Sequence, residues 1–90
     1  MNRKELDQEI VKLANLLQML VNINKVLETT KDPKKIQEFN EEYRYRFLQA
    51  RVKAQELDKV LDTFFQYEKD NNLPIDIRLR MVKNQIVNYI

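Results

Sequence analysis

Arginine and aromatic side chains alternate in one stretch of the chain, and these are the residues whose types and spacing could do chemistry. The stretch YRYRFLQARVKAQ, residues 43–55, contains four cationic side chains and no acidic one. Guanidinium groups neutralise phosphates and aromatic rings stack on bases, so this pattern could serve a nucleic-acid surface. The basic residues of this hypothesis are Arg44, Arg46, Arg51, Lys53, Arg78, Arg80 and Lys83.

Helical geometry argues against a single basic stripe. On a helix, Arg44 and Arg51 flank one side of the apolar seam, whereas Arg46 and Lys53 flank the other side. The two glutamates at 41–42 are spaced to pair with Arg44 and Arg46, respectively. We therefore expect a solvated, partly paired charged surface, with nucleic-acid binding and an acidic protein partner as the alternatives.

The chain lacks the residue types on which most catalysis depends. It contains no Gly, Ser, Cys, His or Trp, which excludes glycine-rich phosphate loops, serine or cysteine nucleophiles and metal sites built on imidazole or thiolate. Its carboxylates alternate with lysines and lie off the apolar faces, so we expect no metal and no cofactor. The interior positions of the first helix are Leu, Ile and Asn, which form no polar pocket for a small-molecule substrate. The sequence therefore predicts that the protein is not an enzyme.

Length and charge indicate the class of protein. The chain has 90 residues, enough for one domain with a modest core. Its 16 Lys and Arg against 14 Asp and Glu give a net charge of +2, which is too balanced to imply nucleic acid or an anionic membrane. The absence of Cys fits a reducing compartment, the N-terminus is polar, and no apolar run approaches the roughly 20 residues of a membrane span. We expect a soluble, cytoplasmic protein that does not contact a membrane.

Two short breaks divide the chain into three predicted helices within a single helical domain, residues 1–90. The predicted helices span about 3–29, 33–70 and 75–89. Asn2, with Glu5 three residues later, is typical of a helix start. Asp32 followed by Pro33 marks the second start, and Pro74 is placed to open the third helix.

The fold class that follows is all-α: a long antiparallel helical hairpin plus a shorter C-terminal helix, forming a three-helix bundle completed by oligomerisation. Residues 75–81 allow a second interpretation, because apolar and charged side chains alternate there as they do in a strand. Such a strand would have to pair with another chain, so helix is the main interpretation.

The helix lengths leave part of the first helix with too few neighbours. The third helix is expected to reach back only to about residue 54, so the half of the first helix from Leu16 to Leu27 contacts the second helix alone. Two helices cannot bury the wide apolar face of that half. We therefore predict self-association, for example as a homodimer, through Leu16, Leu20, Ile23, Asn24 and Leu27. Asn24 either fixes the register of this association or is solvated near the helix end, and both remain open.

The second helix also carries apolar side chains that do not face the predicted core. Tyr45, Leu48 and Val52 fall at i, i+3 and i+7, roughly opposite the main seam. Either the third helix or a bend shelters them, or they contact another protein, which is the interpretation we favour. Basic side chains would form the rim of that contact. The predicted partner-binding residues are Tyr45, Leu48, Val52, Arg44, Arg51 and Lys53.

These observations predict a small non-enzymatic helical module that acts as a regulator by binding a partner protein. Its size, helical character and lysine content are similar to those of small viral (phage) and plasmid regulators or inhibitors. That similarity is one of composition and rests on no motif. The alternative is a helical nucleic-acid-binding protein that uses the basic residues given above.

Overall fold

Three helices make up the structure, a computed structural model that describes all of residues 1–90. They are α1, Arg3–Thr29; α2, Pro33–Asp70; and α3, Ile77–Ile86, which continues into a 3₁₀ turn at Val87–Tyr89. The chain contains no strand, so the all-α prediction is confirmed and the strand interpretation of residues 75–81 is wrong. α1 and α2 pack along each other as a hairpin, and α3 packs chiefly on α2.

Side-chain caps set the starts of α1 and α2, as the sequence predicts. Asn2 Oδ1 accepts a hydrogen bond from the Glu5 amide at 2.8 Å, and Asp32 Oδ1 accepts one from the Lys34 amide at 3.0 Å. Pro33 follows Asp32 in the first turn of α2, where the missing N–H has no intrahelical partner to lose. Both predicted starts are confirmed.

α3 begins two residues later than predicted, and the prediction that Pro74 opens it is wrong. Asp76 is the cap, because its Oδ1 accepts a hydrogen bond from the Leu79 amide at 3.1 Å and satisfies a backbone donor of the first turn. Arg3 of α1 forms an ion pair with the other carboxylate oxygen of Asp76. The helix therefore begins at Ile77, where this ion pair fixes it against the start of α1.

The chain reverses direction after α2 without a glycine. Asn72 has a φ of 52°, in the left-handed region that asparagine tolerates better than most other residues. The amide of Leu73 donates to the carbonyl of Glu68 at 2.9 Å, which satisfies one of the last carbonyl groups of the helix. A tight reversal at this end positions α3 to run back along α2.

The hydrophobic core is contributed by all three helices. Its nine buried residues are Leu6, Leu13, Leu20, Ala50, Ala54, Leu57, Leu61, Leu79 and Ile86. Ala50 and Ala54 lie one turn apart and present no bulk beyond Cβ, so the neighbouring helices can approach α2 closely at this point. No polar or charged residue is buried as a whole, so the core cluster consists of hydrocarbon side chains.

The C-terminal segment covers more of the hairpin than the helix lengths predict. The ring of Tyr89 lies 6.5 Å from the ring of Phe47, whereas the prediction was that this segment stops near residue 54. The length estimate counts backbone rise alone, whereas Tyr89 and Phe47 approach each other through two long aromatic side chains. The molecule is elongated, 57 × 20 × 18 Å, and α2, with 38 residues, is its longest element.

The expectation that no apolar run approaches a membrane span does not hold for α1, which meets the length and composition criterion for one. Within its 27 residues lies an 18-residue window that is apolar enough to cross a bilayer, and 17% of that window is buried inside the structure. Core helices of soluble proteins and signal sequences meet the same criterion, so it does not assign a location.

Candidate functional site: the outer face of α2

Three large apolar side chains lie on the side of α2 that faces away from the core. Tyr45, Leu48 and Val52 are 61%, 57% and 54% exposed. We call these three residues the α2 outer face. The alternative that a bend or the third helix shelters them is wrong, because α2 is continuous and α3 packs on another side, where Lys83 pairs with Asp58.

The α2 outer face continues into an open groove beside α1. The groove is lined by Leu16, Tyr45, Leu48, Gln49, Val52, Lys53 and Glu56. Gln49 Nε2 donates a hydrogen bond to the Tyr45 hydroxyl at 3.2 Å, which restrains that ring against the helix. The structure thus places Leu16, assigned from the sequence to self-association, in the same surface as the residues assigned to partner binding.

The other residues assigned to self-association have different environments. Leu20 and Ile23 are only 5% and 8% exposed within the single chain, so they do not need a second copy to cover them. The expectation that α1 lacks cover here is wrong at these two positions, because α2 shields them. Leu27 is half-buried. Self-association of the chain stays a prediction.

Asn24 is exposed in the single chain. This exposure leaves it available to a second copy, so its role in the register of self-association and its solvated alternative both stay predictions. Leu6, Leu13 and Leu20 are buried at intervals of seven, but the next buried residue is Ile23. Asn24 follows Leu6 by five turns of 3.6 residues, so helical spacing alone does not account for its exposure.

The three predicted rim cations are not equivalent. Arg44 and Arg51 are exposed and form no ion pair within the chain. Lys53 Nζ lies 2.5 Å from Glu9 Oε2 on α1 and 3.6 Å from Glu56 Oε2. The free positive charge at the α2 outer face therefore comes from the two arginines, and Lys53 instead links the hairpin.

Of the two predicted glutamate–arginine pairs, one is present. Arg46 Nε lies 3.9 Å from Glu42 Oε1. The pair between Glu41 and Arg44 is not formed, so both charges point to solvent uncompensated.

Most of the residues proposed as nucleic-acid contacts form ion pairs or stacking contacts within the chain. Arg46 also lies 6.0 Å from the centre of the Tyr45 ring. Arg80 stacks 3.8 Å above the Phe65 ring, with its Nη1 3.2 Å from a carboxylate oxygen of Glu68. Lys83 binds Asp58 and Asp62. Of the four residues Arg46, Arg78, Arg80 and Lys83, Arg78 alone is exposed without an ion pair.

The paired cations also lie on opposite flanks of α2. Arg46 is two turns before Lys53 and shares the flank that faces Glu9 of α1. Lys83 contacts the flank that carries Asp58 and Asp62. The structure does not bring these cations together into one basic surface.

Sequence reasoning missed the acidic partners that hold these cations. Glu9 and Lys53 are 44 positions apart, and Lys83 is 25 positions from Asp58. Neither spacing is a local helical pattern, so only the packing of the helices reveals the pairs. The missing pair of Arg44, by contrast, has the correct i, i+3 spacing, which shows that spacing alone does not form an ion pair.

Ion pairs between the helices shift the pKa values of the groups that form them. Hydrogen bonds from Lys53, and secondarily from Lys12, hold the pKa of the Glu9 carboxyl below its ordinary value of 4.5. The hydrogen bond from Arg3 likewise lowers the pKa of Asp76 below 3.8. Hydrogen bonds to Glu9 and Asp58 raise the pKa values of Lys53 and Lys83, respectively, above 10.5.

The lowered carboxyl pKa values predict an acid-sensitive fold. A carboxyl with a lower pKa in the folded state stabilises the fold above its unfolded pKa, and that contribution is lost as pH falls through the folded value. The free energy of unfolding should therefore be constant near neutral pH and decrease below about pH 4.5, the ordinary pKa of Glu9, as the carboxyls of Glu9 and Asp76 become protonated. Urea unfolding followed by circular dichroism at a series of pH values measures it.

A matched pair of variants checks the origin of this pH dependence. Glu9→Gln should reduce the decrease in unfolding free energy at acid pH. Glu28→Gln, at an exposed glutamate with no ion pair, should leave that decrease unchanged. If the wild type and both variants lose the same unfolding free energy at acid pH, the Glu9–Lys53 pair is not the cause of the pH dependence.

Comparison of the chain with models of protein families, with curated proteins and with solved structures finds no match in any of the three. The function must therefore be argued from the geometry of the chain itself. The α2 outer face, an exposed apolar set on one side of a long helix, is a candidate binding surface.

Proposed function

We propose that the protein is a small non-enzymatic interaction module that acts as a regulator by occupying a surface of another protein chain. One observation carries the proposal: Tyr45, Leu48 and Val52 stay more than half exposed although the hydrophobic core is complete without them. Exposed apolar side chains are common singly, but a contiguous set on one rigid face is typical of a protein contact.

The α2 outer face has the spacing that helix recognition requires. Side chains at i, i+3 and i+7 form one ridge along a helix, and such a ridge packs into the groove of another helix or of a cleft. Tyr45 contributes a large aromatic surface of the kind that dominates binding energy in protein interfaces. α2 is packed on both sides by α1 and α3, so the ridge is presented in a fixed conformation.

The free arginines support a protein contact with a charged rim. Arg44 and Arg51 lie on one edge of the α2 outer face and have no ion-pair partner in the chain. Charges at the rim of an apolar contact act mainly on the rate of encounter and on its salt dependence. A partner with acidic groups beside an apolar cleft would match this arrangement.

The residue types of the chain support a role without catalysis. Nucleophilic and metal-dependent catalysis use Ser, Cys, His or clustered carboxylates, and the chain contains none of the first three. The proposed activity therefore consists of binding.

The proposal is tested by a substitution on the α2 outer face with a matched control. We expect Leu48→Asp to reduce capture of protein by the immobilised chain at least about tenfold, because it places a charge at the centre of an apolar contact. Val11→Asp is the control, since Val11 is 54% exposed on α1 and Leu48 is 57% exposed. The captured mixture should come from the native host and include untagged copies of this chain.

The salt dependence of binding distinguishes this proposal from the nucleic-acid alternative. Binding through phosphate contacts weakens steeply with salt, whereas binding through an apolar centre does not. If both variants capture the same proteins as the wild type, the α2 outer face is not the binding surface. If the chain instead captures nucleic acid that is lost at high salt, the alternative is correct.

A further inference from the structure

Two opposite charges bracket the apolar centre of α2 at equal distances. Glu41 precedes Leu48 by seven residues, Val52 follows Leu48 by four, and Lys59 follows Val52 by seven. Steps of four and seven residues return to nearly the same side of a helix, so these four side chains form one line along the outside of α2. All four are exposed.

The charges at the two ends of this line are uncompensated. Neither Glu41 nor Lys59 forms an ion pair within the chain, although α2 carries several other paired charges. The line therefore has a negative end towards the N-terminus of α2, an apolar centre, and a positive end towards the C-terminus. A surface that covers the line should present the opposite order of charges.

A second copy of α2, placed antiparallel, presents that order. Because the spacing is symmetric about Ala50, a two-fold axis there that sets Leu48 opposite Val52 of the second copy also sets Glu41 opposite Lys59 of the second copy. The same axis repeats both contacts, which is the self-complementary arrangement that a two-fold interface requires. A parallel pairing would instead set Glu41 against Glu41 and Lys59 against Lys59.

We propose that the occupant of the α2 outer face is a second copy of this chain, with the two α2 helices antiparallel. This inference rests on the proposed function, since it names the partner of the same surface. Charges that flank an apolar helical seam determine which partner binds and in which orientation, so the Glu41–Lys59 contacts select the antiparallel dimer.

The length of the contact between the two α2 helices limits the affinity of the dimer. From Glu41 to Lys59 the helix rises by about 27 Å at 1.5 Å per residue. A contact between two helix faces of this length lies at the low end of specific interfaces, which bury about 1,200 Å² or more. We therefore expect a dimer that dissociates on dilution rather than a permanent one. The groove residue Leu16 lies beside this contact and would gain cover from it.

Charge reversal with rescue tests the arrangement by sedimentation velocity over a range of concentrations. Glu41→Lys alone and Lys59→Glu alone should each raise the dissociation constant of the dimer by about tenfold or more, because each converts two attractive contacts into two repulsive ones. The double variant Glu41→Lys/Lys59→Glu restores the opposition of charges and should return the constant to near the wild-type value. Glu28→Lys on α1 is the control for the change in net charge.

Each outcome decides between defined possibilities. Rescue by the double variant supports the antiparallel dimer, whereas a dimer unaffected by either single reversal overturns it. A wild-type chain that stays monomeric at hundreds of micromolar also overturns it. In that case, loss of capture by Leu48→Asp would leave the proposed function standing with a different protein as partner. If Leu48→Asp changes neither the mass nor the capture, both proposals fail.

Discussion

The Leu57→Ala variant is expected to lose about 2–5 kcal/mol of unfolding free energy. Leu57 is 1% exposed and belongs to the core cluster to which all three helices contribute. Removing its side chain beyond Cβ forfeits buried apolar contacts and leaves a cavity that rigid helices fill poorly. A chain of this size has a total stability of only about 5–15 kcal/mol, so the loss is a large fraction of it.

Urea unfolding followed by circular dichroism measures this loss, and Val52→Ala provides the control. Val52 lies on the same helix but is 54% exposed, so at a protein concentration where the chain is monomeric its truncation should change the unfolding free energy by less than about 0.5 kcal/mol. Equal losses for Leu57→Ala and Val52→Ala would contradict the division of α2 into a core side and an outer face.

The Leu20→Asp variant should unfold the chain or destabilise it by at least about 3 kcal/mol, because a carboxylate without a partner would replace a buried hydrocarbon. Leu20 is 5% exposed within the single chain, whereas its neighbour Met19 is 42% exposed. Met19→Asp is the matched control and should leave the helical content and the unfolding midpoint close to those of the wild type. Far-UV circular dichroism during urea unfolding gives both quantities.

The same variant separates a core role of Leu20 from an interface role. If Leu20 were covered chiefly by a second copy, Leu20→Asp would produce a folded monomer of unchanged helical content. The structure predicts instead a loss of helix at every protein concentration. A folded, fully helical Leu20→Asp chain would therefore contradict the observed burial.

Local sequence signals predicted the helices well, because their ends depend on neighbouring residues. Asn2 and Asp32 cap helices through backbone amides two or three residues away, and both are visible in the sequence. The start of α3 was predicted two residues early, because the prediction placed the start at Pro74 and did not identify Asp76 as the cap. The ion pair between Arg3 and Asp76 joins opposite ends of the chain and has no local signature.

Burial along α1 was predicted only in part. The spacing of Leu6, Leu13 and Leu20 is visible in the sequence and identifies the side of α1 that is buried. The exposure of Asn24 does not follow from helical spacing, since Asn24 lies five turns beyond the buried Leu6 and so points in nearly the same direction. Whether α2 covers Ile23 depends on how the hairpin packs, which the sequence pattern does not specify.

The candidate site, too, was predicted only in part from the sequence. The exposure of Tyr45, Leu48 and Val52 follows from helical spacing, because they lie opposite the apolar seam of α2. The use of Lys53 as a link to Glu9 depends on the packing of two helices and was not predictable from residue types. Local periodicity therefore identified the apolar ridge, whereas the charges around it required the fold.

The claim that a protein chain covers the α2 outer face is tested most directly by thiol labelling at that face. The chain contains no Cys, so Leu48→Cys and Val11→Cys each introduce a single reactive thiol at an exposed position. A trace of either variant is labelled in increasing concentrations of the wild-type chain, and in parallel in a lysate of the native host. We predict that labelling of Leu48→Cys slows as the wild-type chain is added, while labelling of Val11→Cys does not change. Equal and constant labelling rates for the two variants, with the wild-type chain and with the lysate, would contradict the claim.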